Sequence, residues 1–143
     1  MRVAGTLFLL TLFLAGSADC SFAQEEATVS DTDIQVLHFE ELSYPTVAWV
    51  AHVQGVVVIR VVLDDRGNVV KAAAISGKEQ LITDCLANAK KWKFHPNPQK
   101  MAVIVYKFTL PPVDCGSAKS FFTLEGANLA NVTACPFTVQ TAH

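Results

Sequence analysis

The apolar positions between Tyr44 and Leu110 change period from segment to segment, and each change marks an element. Tyr44 is pushed out of the helical region by the proline after it. Pro45 itself suits the first turn of a helix, where its missing N–H goes unused. The segment 45–52 sets Val47, Trp49, Val50 and, just past it, Val53 at spacings that fit an apolar helical stripe. Gly55 punctuates, and β-branched residues then dominate 56–63, which predicts a strand. Asp65-Arg66-Gly67-Asn68 is turn chemistry, with Gly67 free to take positive φ, so 69–75 is expected to return antiparallel as a hairpin. Ser76 and Glu79 fit a capping box that opens a second helix. That helix carries Leu81, Ile82, Cys85, Leu86, Ala89 and Trp92 on one broad face, with Lys90, Lys91 and Lys93 near the C-terminal end of its dipole. Residues 101–110 form a third strand, closed by Pro111-Pro112. Upstream, 34–39 could add a short strand.

Alternation along the strands separates two faces. Val57, Ile59, Val61 and Leu63 share one side of the first long strand, and Val56, Val58, Arg60 and Val62 the other. In the third strand Ile104, Tyr106, Phe108 and Leu110 oppose Val103, Val105 and Lys107. Only one face can pack on the helices. The other is rich in valine and would be an exposed patch if left bare. It is therefore expected to be covered, by the C-terminal appendage in preference to a second copy.

That appendage lies between Cys115 and Cys135. Residues 121–124 and 137–139 read as short strands around Gly126-Ala127-Asn128. A Cys115–Cys135 disulfide would pin them as a hairpin, stabilising by ~3 kcal/mol on chain-entropy grounds. Cys85 sits on the apolar helix face and reads as a buried free thiol.

The order Y-P-x-x-A at 44–48, G-V-V-V-I-R-V-V-L-D-D-R-G-N-V at 55–69, Ser76-Gly77 before a helix, and Trp92-Lys93-Phe94-His95-Pro96 after it resembles the C-terminal domain of TonB-type energy transducers. The resemblance spans about 44–110. It implies an α+β fold: a small antiparallel sheet with two helices on one face, here followed by a disulfide-pinned C-terminal β extension. It also implies a domain that binds a short peptide of an outer-membrane receptor, by strand addition at the sheet edge next to the third strand. That mode draws its affinity from main-chain hydrogen bonds. Carried over by position, the edge is Val103, Ile104, Val105, Tyr106, Lys107 and Phe108. A working transducer also needs a transmembrane anchor and a long Pro-rich spacer, and 24–44 contains no proline. The chain thus reads as the domain without the machine.

The first 23 residues read as a signal peptide: Met1-Arg2, an apolar run at 3–16, then Ser21-Phe22-Ala23. The run falls short of the ~20 residues that span a bilayer as a helix. Lipoprotein processing at Cys20 is the lesser alternative, since Asp19 fits that site poorly. An acidic arm (24–43), a TonB-like domain (44–110) and the extension (111–143) follow, in the periplasm or secreted, where disulfides are allowed. The formal net charge is −2, which argues against nucleic acid as a partner. Glu25, Glu26, Asp31, Asp33, Glu40 and Glu41 precede the first later cation, Arg60, whereas 60–107 holds nine basic and four acidic residues. A solvated tail beside a basic surface is the plain reading, and an arm folded over the basic helix end the sharper one.

No paired histidine spacing, C-x-x-C, G-x-S-x-G or phosphate loop is present, so the reading has no metal, no cofactor and no catalytic residue. Two function classes remain. One is a non-enzymatic module binding a protein or peptide, such as an outer-membrane receptor or another envelope protein. The alternative is a structural or self-associating protein whose sheet edge is filled by its own extension or by the second subunit of a homodimer.

Overall fold

A computed structural model describes residues 34–112 and 120–136. The expected signal peptide, most of the acidic arm, Cys115 and the strand expected at 137–139 lie outside them. The elements run β1 (Val36–His38), α1 (Thr46–Val50), β2 (Gly55–Leu63), β3 (Val69–Ser76), α2 (Glu79–Ala89), β4 (Lys93–Phe94), β5 (Met101–Thr109), β6 (Ser120–Glu125) and β7 (Leu129–Ala134). The fold is α+β. β1 and β4 form a two-stranded sheet, and the main sheet has five strands in the order β3-β2-β5-β7-β6.

The β2–β3 hairpin forms because Asp64 organises its turn. The Asp64 carboxylate accepts hydrogen bonds from the backbone N–H groups of Arg66 and Asn68 and from the Asn68 side-chain amide, at 2.8–2.9 Å. Gly67 takes φ +81 there, and a Cβ on it would lie 1.7 Å from the Phe94 carbonyl oxygen. Only glycine permits that approach.

The inner sheet face is β-branched and aromatic, as the alternation predicts. Val57, Ile59, Val61, Ile104, Tyr106 and Phe108 are all buried, and α2 covers them with Leu81, Cys85 and Ala89. Cys85 is a free, buried thiol. Trp92 and Phe94 close the core beyond α2, with ring centroids 6.0 Å apart.

Several expectations are corrected. The sheet is mixed: β7 runs parallel to β5, while every other pair in it is antiparallel. The chain leaves β5 and descends along the outermost position as β6. It then turns at Gly126 and rises as β7 into the gap, so the parallel pair needs no crossover. The second strand of the extension is therefore Leu129–Ala134, a run whose two alanines and asparagine weaken its strand signal. Because both strands lie in the plane of the sheet, neither covers its valine face.

Two helix details also differ. Ser76 ends β3 and does not cap α2, which starts at Glu79 with Lys78 as N-cap and no side-chain capping bond. In α1 the buried residue is Ala48, whereas Val47 is 70% exposed. A five-residue helix has only one inward position for the core, and the smallest side chain fills it.

Candidate functional site

The expected binding edge, Val103 to Phe108, belongs to β5, and β5 is an interior strand. On one side it pairs with β2 along its whole length, Gly55 opposite Phe108 and Val62 opposite Met101. On the other, Val105–Thr109 pair with Leu129–Thr133 of β7, and the Val105 N–H donates to the Asn128 carbonyl at 2.8 Å. Within the candidate set, Ile104, Tyr106 and Phe108 point into the core, while Val103, Val105 and Lys107 face outward.

β7 is built into the molecule. Ala130, Val132 and Ala134 are fully buried, and the Thr109 and Thr133 hydroxyls lie 3.2 Å apart across the pair. Removing β7 would expose the flank of the core beside Tyr106 and Phe108. Among the described residues the sheet thus ends at β3 on one side and β6 on the other.

Around β6 the N-terminal segment forms a strap. Phe39 stacks on Phe122 at 5.7 Å and tilts against Trp92 at 5.9 Å, and the Tyr44 N–H donates to Ser120 Oγ at 3.1 Å. The strap is held by Asn88, the one buried polar side chain among the described residues. Asn88 Oδ1 accepts from Trp92 Nε1 (2.9 Å) and the Tyr106 hydroxyl (2.8 Å), and its Nδ2 donates to the Glu40 and Glu41 carbonyls at 3.0 and 3.3 Å. All four hydrogen-bonding positions of the amide are used. Burial pushes the Tyr106 phenol well above its ordinary pKa, so it stays a donor. Sequence reasoning passed over Asn88. The signal was present: it falls in phase with Cys85 and Trp92 on the apolar face of α2.

The outward sheet face sets Val58 beside Val105 and Val105 beside Leu129, with Arg60 next to Val103 and Lys107 next to Val56. Val56 is 48% exposed, and Arg60 and Lys107 are exposed.

Groups that might suggest chemistry are otherwise engaged. Asn68 and the turn hold the Asp64 carboxyl below its ordinary range, Asp65 pairs with Lys100 at 2.7 Å, and burial, helped by Asp84, pushes the Cys85 thiol up to about 12. Among the described residues no group of three His, Cys, Asp or Glu could hold a metal, and no helix is long and apolar enough to cross a membrane.

The structure defines a small α+β domain, with its helices packed on one face of the main sheet. Residues 40–112, just over half of the chain, match the family of the Gram-negative bacterial TonB protein C-terminal domain, and the chain belongs to that family. The family is periplasmic, non-enzymatic and acts through proteins of the outer membrane. No curated protein and no solved structure matches the chain.

Proposed function

We propose that this protein is a periplasmic protein-binding module that takes an extended segment of an envelope protein onto the free edge of its sheet. In this reading the first 23 residues direct export, and a Cys115–Cys135 disulfide fixes the extension. Because β7 holds the flank of β5, the receiving edge is the outer side of β6 and not Val103–Phe108. The observation that carries the reading is β6 itself, a sheet-ending strand with apolar side chains beside its main chain. Strand addition there would supply hydrogen bonds from the backbone and pockets for alternate side chains.

The test is capture of envelope proteins from a periplasmic extract by the purified protein. A Phe121→Lys/Thr123→Lys variant, which charges the β6 edge, should lose the capture, while Ala73→Lys on β3 should keep it. Equal capture by both variants, with unchanged circular dichroism, would remove the β6 edge from the function. A second reading, a self-associating or structural protein, is favoured by the pairing of β7 with β5, since the chain fills its own third-strand edge.

A further inference from the structure

Among the described residues the main sheet ends in two strands, β3 and β6, and they differ in how well they resist pairing with another chain. Proteins protect sheet edges with lysine, proline or bulges. β3 has two such interruptions, register shifts against β2 at Val58/Ile59 and Val62/Leu63. They leave Ile75 and Val70 as extra residues, and Lys71 follows Val70 directly. β6 has none of these devices. Its register with β7 is unbroken from Ser120 to Glu125, and its only charge is the terminal Glu125. Aromatics flank it on both faces: Phe121 outward, 46% exposed, and Phe39, 38% exposed, stacked on Phe122 on the helix side.

We propose that the strand β6 receives is β6 of a second copy of this chain, paired antiparallel about a two-fold axis at Phe122. This rests on the reading that strands add at β6, an edge for which a second copy and an envelope segment would compete. Opposed residues in an antiparallel pair must share a face, so the two-fold has to fall on a residue and not between residues. Placed at Phe122, it sets the two Phe122 rings opposite each other beside Phe39. Phe121 then meets Thr123 of the other copy on the outward face, and Ser120 meets Leu124. Glu125 lies outside this ladder. Placed at Thr123, the axis would set Phe121 against the Glu125 carboxylate, the poorer match. A two-fold contact is isologous and closes on itself. The doubled sheet would end in the two interrupted β3 edges, so growth stops at the dimer, and both unprotected edges are satisfied at once.

Sedimentation of the protein purified from the periplasm, over a concentration series, tests this. The expected result is a monomer–dimer equilibrium that Phe121→Lys/Thr123→Lys abolishes and Ala73→Lys leaves intact. Mixing the Phe121→Lys/Thr123→Lys protein with Phe121→Glu/Thr123→Glu should restore a mixed dimer, because this register sets position 121 against 123. A Phe122→Cys variant should crosslink to itself under mild oxidation. A monomer at every concentration overturns the inference, as does a dimer indifferent to the β6 charges. If that monomer still captures envelope proteins through β6, self-pairing alone has failed. If the β6 charges alter neither dimer nor capture, the edge reading fails with it.

Discussion

Asn88, on α2, shows how one buried amide can hold three other parts of a small domain: the turn after the helix through Trp92, β5 through Tyr106, and the strap through Glu40 and Glu41. Truncating it strands buried donors, each costing about 1–3 kcal/mol. Asn88→Ala should therefore lower the urea midpoint strongly and loosen the strap, seen as earlier proteolysis N-terminal to Tyr44. Trp92 is only 2% exposed and sits between Phe39, Phe94 and Tyr106. Trp92→Ala should cost roughly 3–5 kcal/mol by chemical denaturation. Ionisation acts at the same scale. Burial raises the Cys85 thiol from 9.0 to about 12 and the Tyr44 phenol from 10.0 to about 12. Folded values above the unfolded ones mean stability that is complete below about pH 9 and lost as pH rises towards 12. Melting temperatures across that alkaline window should fall, and Cys85→Ala should make the fall shallower.

Among elements, the β2–β3 turn and the extension carry the most. Phe94 donates its N–H to the Gly67 carbonyl at 2.9 Å, so the turn and β4 grip one another. A Cβ at Gly67 would strike the Phe94 carbonyl from a positive-φ backbone. Gly67→Ala should therefore destabilise by about 3 kcal/mol or more, measured by urea unfolding. β7 contributes differently, by covering the core. A chain ended at Pro112 keeps every matched family residue yet loses the cover of Ala130, Val132 and Ala134. It should bind a hydrophobic dye and unfold less cooperatively than the full chain. Native unfolding of the shortened chain would mean that β7 is an addition to a complete domain.

For the whole molecule, the extension moves the sheet's end two strands outward, from β5 to β6. The extension and the strap are interlocked through Phe39, Phe122, Tyr44 and Ser120. Trp49 of α1 also donates its indole N–H to the Cys135 carbonyl, so the exit of β7 is tied to the first helix. A Cys115–Cys135 bridge would lock this arrangement. Non-reducing peptide mapping should find that pair with Cys85 free, and reduction should lower stability by ~3 kcal/mol. Cys85 in a bridge would overturn the pairing.

Apart from β4, the elements of the family domain were legible in the sequence, because β-branched runs, turn residues and an amphipathic helix are local signals. The capping residue of α2 and the inward position of α1 were not. They depend on how far β3 extends and on which side chain meets the core, which neighbours in space decide. Asn88 was visible only as a polar residue out of place; its partners at Glu40 and Tyr106 lie 48 and 18 residues away along the chain. The edge was the largest revision. A strand's sequence records which side chains face in or out, but nothing in it records whether its main chain already has two neighbours. Sequence alone therefore determined the identity of β5 and the alternation of its faces. Only the tertiary structure decided that β7 fills its flank and that β6 ends the sheet among the described residues, because strand pairing is made between backbones that every residue shares.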